Sequence, residues 1–416
     1  MALLVLNGGS SSLKFSVFER RTVPELVFEG EVEDVGGDAQ LALNPVASGA
    51  APSRRPVAAK TVPEALAAAL DALGEEQTQG IEAVGYRVVH PGPHLEGHQR
   101  ITPEVLRALE AAAAFAPLHD PPARELIQLG IQRFPSIPHF ACFDTVFHRT
   151  MPPEATTYAL PQEIRERGVR RYGFHGLSCE SIVYQLAAAG GVPGRMAISH
   201  LGSGCSVTTC LDGRSVDNTM GLTPTGGLVM GTRPGDLDPG LMVYLFRQAA
   251  KDGADAAAAI EAMVNHKAGM VALSELENDM RVVREAAANG NADAKLALAV
   301  FVRSVTKALG AACFLLGGLD AIVFTGGIGQ HDAATRAEAL AGLTPLEIGI
   351  DPERNAAAGG KAVSDITASN SQSRTTDSSN IGSKTRILVL TAQEDLMIAR
   401  HVDGMLTAAG QGPRQA

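Results

Sequence analysis

Leu3 to Glu19 reads LLVLNGGSSSLKFSVFE, and its punctuation decides the architecture. Four apolar residues, Leu3 to Leu6, predict a buried strand, Asn7 to Ser12 form a tight Asn-Gly-Gly-Ser-Ser-Ser turn, and Leu13 to Phe18 predict a strand running back. Glycines at 8 and 9 let the backbone approach a ligand closely. The N–H groups and the hydroxyls of Ser10, Ser11 and Ser12 can then point at phosphate oxygens, with Lys14 adding a positive charge. Alone, the stretch reads equally as an ordinary hairpin with a polar tip. The pattern recurs, however, in MAISHLGSGCSVTTCLDG (Met196 to Gly213), an apolar strand, a turn carrying Gly202, Ser203 and Gly204, and a returning strand rich in Val and Thr. Two such units far apart predict a duplicated domain, with one phosphate loop facing the ligand from each half.

Working outward, the first half continues with a strand at Leu26 to Val32, a surface loop from Pro45 to Arg55 and a helix opened by Pro63 and reaching Leu73. A strand from Ile81 to His90, helices at Pro103 to Ala114 and Pro122 to Arg133, and a short strand at His139 to Phe143 complete a meander followed by alternating β and α, an α/β domain. The second half repeats the order. Its hairpin precedes a Gly/Pro-rich loop (Thr219 to Gly240) and helices at Gly240 to Ala250, Ala254 to Asn265 and Ala292 to Leu316. The strand Ala321 to Thr325 then runs into Gly326-Gly327-Ile328-Gly329. Ala368 to Lys384, rich in Ser, Thr and Asn, reads as a flexible surface insertion, before a strand at Arg386 to Leu390 and a closing helix from Glu394 to Leu406.

The bulk numbers set limits. A chain of 416 residues accommodates two domains that each bury a core, and 45% hydrophobic with 19% charged is ordinary for a soluble globular protein. A net charge of -10 argues against a nucleic-acid partner and requires any phosphate site to be locally basic. Five cysteines without metal-ligand or C-x-x-C spacing read as buried reduced thiols of a cytoplasmic protein. The N-terminus has no basic region before its short apolar run, unlike a signal peptide. The run from Leu309 to Phe324 is broken by Gly310, Gly317, Gly318 and Asp320, so no membrane segment is expected there.

Several residues stand out against this background. Gly326 to Gly329 has the form of a strand-to-helix nucleotide loop, although apolar strands also end in paired glycines for steric reasons. His90, His94 and His98 fall four apart, but Pro91, Gly92 and Pro93 prevent the helix that would align them on a metal. His175 in YGFHG and His119 in PLHDPP are loop histidines that could be structural or functional. Arg87 in GYRVVH lies inside an apolar strand, where a guanidinium must meet an anion, either a carboxylate side chain or a substrate. Arg233 in MGTRPGDLDPG has small neighbours that leave room for a ligand, and Asp144 ends a strand at CFDT, where functional carboxylates often sit in α/β sheets.

Together, NGGSSSLKF, YRVVH, APLH, FDTVFH, YGFHG, HLGSG, MGTRPGDLDPG, DMR, FTGGIG and QEDLMIAR closely resemble the acetate kinases, in the same order and from Leu3 to about His401. The resemblance implies an α/β fold of two RNase H-like domains of the actin/Hsp70/sugar kinase type with a nucleotide cleft between them. It implies a first domain over 1–150 completed by the C-terminal helix 394–408. Residues 151–393 would form a second, nucleotide-binding and dimer-forming domain, with the flexible insertion 368–384. The implied reaction is reversible phosphoryl transfer from ATP to acetate, giving ADP and acetyl phosphate, with Mg2+ (or Mn2+), by a cytoplasmic homodimer. Asn7 and Glu394 would hold the metal. Ser10, Ser12 and Lys14 would lie near the phosphates, and His200, Leu201, Gly202, Ser203, Gly204, Asp279, Met280, Arg281, Gly326, Gly327, Ile328, Gly329 and Gln330 would contact ATP. Arg87 would bind the substrate carboxylate, with Val89, Leu118, His119, Phe174 and Pro224 forming the acid pocket. Asp144 would be the acid/base residue, and His175 and Arg233 would stabilise the transition state.

In-line transfer puts charge on the equatorial oxygens of the moving phosphoryl group, and arginines, a histidine, a lysine and a Mg2+ can neutralise it. A carboxylic acid, with a pKa of roughly 4–5, is already ionised at neutral pH, so Asp144 suits the orientation of Arg87 or of a metal-bound water better than proton removal. Ser203 stands where the family has Asn, as do Asp120 after His119 and Gln393 before Glu394. Gln330-His331 replace Glu-Asn, and Thr225-Gly226 replace Leu-Glu. Two other readings remain: a kinase for propionate or another short-chain acid, and a non-catalytic nucleotide switch on the same superfold. The joint presence of Arg87, Asp144, His175 and Arg233 argues against the switch, which has no use for a carboxylate site.

Overall fold

Leu3 to Leu6 are completely buried because strand β1 (Ala2–Gly8) has neighbours on both edges and both faces. Antiparallel to it runs β2 (Leu13–Glu19), in a register that sets Asn7 opposite Lys14 and Gly8 opposite Leu13; β6 (Ile81–Val88) lies parallel on the other edge. The computed structural model describes residues 1–9, 11–47, 51–112, 115, 120–253, 255–359, 363–368 and 384–410, without the side chains at 76 and 120. Ser10, Leu118 and His119, and the part of the 368–384 insertion from 369 to 383, lie outside the described residues.

The chain forms two compact units. The first comprises Met1–Val146, Glu166–Gly168 and Gln393–Ala416, and the second Phe147–Arg165 and Val169–Ala392. In the first unit, β3 (Glu25–Glu33), β4 (Gln40–Asn44), β5 (Ser53–Pro56), β7 (Gln99–Arg100) and β8 (His139–Phe143) complete a sheet of order β5-β4-β3-β2-β1-β6-β8-β7. Helices α1 (Val62–Gln79), α2 (Pro103–Ala112) and α3 (Asp120–Arg133) join its core. Gly130 of α3 must be glycine, since a Cβ there would fall 1.9 Å from Tyr86 Oη.

The second unit opens with the short helices α4 (Pro153–Thr156) and α5 (Gln162–Arg165), then α6 (Gly176–Ala188). Its sheet has the order β11-β10-β9-β12-β14-β13, from β9 (Arg195–Leu201), β10 (Cys205–Leu211), β11 (Arg214–Asn218), β12 (Ala321–Thr325), β13 (Val363–Asp365) and β14 (Arg386–Leu390). Between β11 and β12 come α7 (Pro239–Lys251), α8 (Ala256–His266), α9 (Gly269–Ser274), α10 (Met280–Ala288) and α11 (Ala292–Leu315). Helices α12 (Gly326–His331), α13 (Ala333–Ala341) and α14 (Pro352–Ala357) follow β12. Among the described residues α11 alone has the length and composition to cross a membrane. It nevertheless buries Ala294, Ala297, Leu298, Phe301, Val305 and Leu309, at helical spacing, in this unit.

The last helix, α15 (Glu394–Ala408), belongs to the first unit. It packs on β6 at Gly85, where a Cβ would sit 2.7 Å from Ile398 and 2.8 Å from Val402. Arg20 on the edge of β2 reaches Asp403 at 2.7 Å and Glu82 at 3.1 Å, pinning α15 to the sheet.

The repeat is plain in the topology. In both units a three-strand antiparallel meander is continued by two parallel strands: β3-β2-β1 with β6 and β8, then β11-β10-β9 with β12 and β14. Some boundaries depart from expectation. The loop predicted over Pro45 to Arg55 contains β5 at its end, since Ser53 to Arg55 pair with Ala42, Leu43 and Leu41 as an exposed edge that no apolar pattern marks. Helix α1 continues past Leu73 across a kink at Gly74 (φ 76°), and β6 stops at Val88, where His90 Nδ1 accepts the N–H of Gly92 and turns the chain.

Candidate active site

In the first unit the site grows from the C-terminal ends of the parallel strands. β6 carries Arg87 and β8 delivers Asp144, which is buried (1% exposed). The two form a two-point ion pair, Arg87 Nε to Asp144 Oδ1 at 3.1 Å and Nη2 to Oδ2 at 2.5 Å. Arg87 Nη1 makes a longer 3.4 Å bond to Asn7 Oδ1, and its Nε lies 3.6 Å from Glu394 Oε2. The Nε edge of the guanidinium is thus committed to Asp144, and the Nη1 end is the more weakly engaged. Burial works against the charge on Arg87, but Asp144, Glu394 and Asp395 outweigh it and raise its pKa. Burial holds the Asp144 carboxyl above the ordinary carboxylate range, with Arg87 pulling the other way.

Asn7 lies at the end of β1, where the turn begins. Its Nδ2 donates at 3.5 Å both to Glu394 Oε2 and to Asp395 Oδ1. Asp395, not singled out in the sequence, also accepts a 2.5 Å bond from Ser16 Oγ; its only signal is the acidic pair in QEDL. Burial raises the Asp395 carboxyl, which the bond from Ser16 opposes. Two carboxylates beside the Asn7 amide fit a hard divalent cation such as Mg2+, which takes oxygen ligands, once the amide oxygen that here accepts from Arg87 is turned towards them. Lys14 is exposed on β2, 3.9 Å from Glu31. The turn closes through Gly9 N–H to Ser12 O at 2.7 Å.

In the second unit His175 starts α6 in the left-handed region (φ 58°, ψ 29°), a conformation uncommon for a residue with a side chain. Its surroundings impose it. The carbonyl of Phe174 accepts from His148 Nε2 at 2.7 Å and Asn218 Nδ2 at 3.3 Å, while Gly173 (φ 72°) packs on the His148 ring. His175 Nδ1 bonds Ser206 Oγ at 2.9 Å, and its ring stacks on His200 with centroids 4.0 Å apart. His200 Nδ1 in turn bonds Ser178 Oγ at 2.8 Å.

These rings converge on the Gly202-Ser203-Gly204 turn. A Cβ at Gly204 would stand 3.3 Å from His175 Nε2 and 3.6 Å from Arg233 Nη1, and one at Gly202 would stand 3.9 Å from His200 Nε2 and from the N of Gly327. Arg233 Nη1 donates to Pro224 O at 3.0 Å, and burial lowers its pKa. Gly269 (φ 70°) lets the backbone of Arg233 approach, since a Cβ there would be 2.7 Å from Arg233 N. The turn is anchored by Gly231 N–H to Ser203 O at 3.2 Å and by Asn278 Nδ2 to Ser203 Oγ at 3.4 Å. The buried thiol of Cys205, pushed up to about 12 by burial, is not a nucleophile here.

The Gly326 loop runs from β12 into α12. Gly326 (φ 77°) sits where a Cβ would be 2.6 Å from Leu201 O, so this turn admits only glycine. Gln330, expected on the nucleotide, has its Oε1 taken by Thr391 Oγ1 at 2.8 Å. Behind it lies Arg336, which no sequence pattern marked: it is 1% exposed and holds the carbonyls of Gly329 and Gln330, each at 2.8 Å, and Asn355 Oδ1 at 2.7 Å. Asp279 caps α10 and pairs with the exposed Arg281; Met280 opens the helix. Of the expected acid-pocket residues, Val89 lies in the first unit and Phe174 and Pro224 are buried in the second.

Two glycine-serine turns at the same place in two sheets of one topology, beside an ion-paired arginine in one unit and a histidine–arginine pair in the other, define a phosphoryl-transfer enzyme of the actin/Hsp70/sugar kinase superfold. The acetokinase family profile matches residues 2–400, and the chain belongs to that family, whose members transfer phosphoryl groups to a carboxyl acceptor. It is 37% identical over 419 residues to the acetate kinase of Natranaerobius thermophilus, covering 98% of this chain and 100% of that one. Among solved structures it resembles a propionate kinase from Francisella tularensis (TM-score 0.82, 32% identity, 96% and 98% of the two chains). It also resembles the acetate kinase of Porphyromonas gingivalis (TM-score 0.80, 31% identity, 97% and 99%).

Proposed function

We propose that this chain is an acetate kinase, catalysing reversible phosphoryl transfer between ATP and acetate to give ADP and acetyl phosphate. The observation that carries the reading is the convergence of His175 Nε2 and Arg233 Nη1 on Gly204, since an imidazole and a guanidinium beside a glycine turn suit the charge that develops on a transferring phosphoryl group. Arg87, held in one plane by Asp144, presents its Nη1 end to the substrate carboxylate. Asp144 therefore acts by orienting Arg87. Asn7, Glu394 and Asp395 would hold Mg2+, which would supply neutralisation of polyphosphate charge. The Gly202 and Gly326 turns, with Asp279, Met280 and Arg281, receive the nucleotide. Val89 of the first unit and Phe174 and Pro224 of the second are the candidates for contact with the methyl group of the acid.

The likeness to a propionate kinase favours a second reading, a preference for the longer acid. An extra methylene that fits poorly is rejected by only about 1–3 kcal/mol, so propionate is expected to be a usable but poorer substrate. Measuring ADP release with acetate, propionate and butyrate separates the two: a higher kcat/KM for propionate than for acetate overturns the first. The protein works as a cytoplasmic homodimer in this reading. Helix α7 supports a second copy as partner, because Leu241, Val243, Tyr244 and Phe246 are all exposed on it. Phe246→Glu is expected to halve the mass seen by sedimentation, and an unchanged mass would clear α7 of this role.

A further inference from the structure

We propose that Ser206 is a positioning residue that fixes the tautomer of His175, so that this ring offers a neutral Nε2–H donor to the transferring phosphoryl group. The inference rests on the role given to His175 above. A neutral imidazole has one N–H, and which nitrogen carries it is set by the partner of the other. Ser206 is fully buried on β10, and its Oγ lies 2.9 Å from His175 Nδ1. When the hydroxyl donates to Nδ1, the proton resides on Nε2, the atom that faces Gly204 and lies on the same side as Arg233 Nη1. The opposite tautomer would turn a lone pair towards phosphate oxygens, where it repels.

The neighbouring ring reinforces the choice. His200 stacks on His175 at 4.0 Å, 22° from parallel, and its Nδ1 has the same kind of partner, Ser178 Oγ at 2.8 Å. Two imidazolium rings at that separation repel, and the Arg233 guanidinium beside Gly204 adds to the cost of a cation on His175. A serine hydroxyl that donates to each Nδ1 leaves both rings a donor at Nε2 without charging either. Positive charge beside the Gly204 turn is then left to Arg233, and His175 contributes direction.

The test is nitrogen-15 NMR of the imidazole rings in the full-length protein, with His175 assigned by comparison with His175→Gln. The expected result is an Nε2–H tautomer for His175 that persists across the neutral pH range. In Ser206→Ala the ring should lose its single tautomer, and kcat should fall roughly ten- to hundredfold, the scale of one hydrogen bond to a charged group, with KM for ATP little changed. Ser206→Thr, which keeps the hydroxyl, should restore both. A His175 protonated on Nδ1 or on both nitrogens in the wild type overturns the proposal, as does an unaltered tautomer in Ser206→Ala. Should the alanine variant not fold, Ser206→Cys, a much weaker donor of similar shape, takes its place, and an unaltered tautomer there equally overturns the proposal. Kinetics of His175→Gln report separately on the transfer role: unchanged kcat there would remove His175 from the reaction, while the spectrum still settles what Ser206 does to the ring.

Discussion

Arg87 in an apolar strand has to be neutralised, and the way this happens decides what its neighbours can do. Asp144 occupies the Nε edge of the guanidinium, so the pair is preoriented and the carboxylate has no proton to fetch from an already ionised acid. Arg233 differs. Burial lowers its pKa, its Nη1 donates to the Pro224 carbonyl, and the same guanidinium lies beside the Gly204 turn, where it can meet charge that appears during transfer. Arg233→Ala is therefore expected to reduce kcat by ~10³ or more, with Lys rescuing little because a point charge lacks the planar fork; near-normal turnover in the alanine variant would exclude it. At Ser203 the side chain is exposed, and Asn278 supplies an amide to its Oγ at 3.4 Å. Asn278, just before α10, thus brings a side-chain amide to this turn. Ser203→Asn should raise kcat/KM for ATP by up to about tenfold, the value of one modest hydrogen bond, without changing the order of preference among acids. A change in acid preference with unaltered ATP kinetics would remove this turn from the phosphates.

At the scale of elements, the two hairpins and their continuation strands were legible because strands covered on both faces read as unbroken apolar runs: LLVL in β1, AIVF in β12 and ILVL in β14. The residues of the candidate site were legible for a different reason. Arg87 in GYRVVH and Gly326 after AIVFT stand out as a charge and a glycine set against such a run, whereas His175 and Arg233, in loops, are singled out by the resemblance of their motifs. What stayed hidden has no such contrast. GLSCESIVYQLAA forms α6, but its buried face includes Ser178, Cys179 and Ser181, which weaken the helical period. Ser206 and Thr208 are small polar residues on a buried strand, and their importance lies in partners distant in sequence, His175, Cys179 and Asn218. Arg336 lies in AATRAEALA, where an arginine looks like surface until three carbonyl groups and Asn355 Oδ1 surround it. The Gly326 turn gives this scale its prediction. With φ at 77° and Leu201 O 2.6 Å from a Cβ, Gly326→Ala must displace the turn. A stability loss of about 1–3 kcal/mol is expected in denaturant titration, together with a raised KM for ATP. An alanine variant of wild-type stability and affinity would mean that this backbone is not what the loop requires.

For the whole molecule, the same contacts that shape the site also make stability depend on pH, through a histidine outside the proposed chemistry. His148 is 1% exposed, with Nε2 on Phe174 O at 2.7 Å and Nδ1 on Ser215 Oγ at 2.9 Å, an arrangement a neutral ring satisfies completely. Burial pushes its pKa down to about 4, against the ordinary 6.5, with the bond to Phe174 opposing. Between those values an unfolded chain binds a proton at His148 and the folded chain does not. Its contribution is therefore fully present above about pH 6.5, is lost as pH falls through that window, and amounts to something on the order of 3 kcal/mol by pH 4. Protonation adds its hydrogen at Nδ1, so it disturbs the bond with Ser215 Oγ and the buried surroundings of the ring, while the Nε2–H bond to Phe174 O is kept. Acidification should accordingly lower the urea midpoint, and His148→Gln, whose amide can keep the bond to Phe174 O, should flatten the slope of stability against pH between 6.5 and 4 while leaving the paired carboxylates titrating as before. Urea titrations of both proteins at several pH values measure this directly. Parallel slopes for the two would show that acid acts elsewhere, with the buried Asp144 and Asp395 as the next groups to replace.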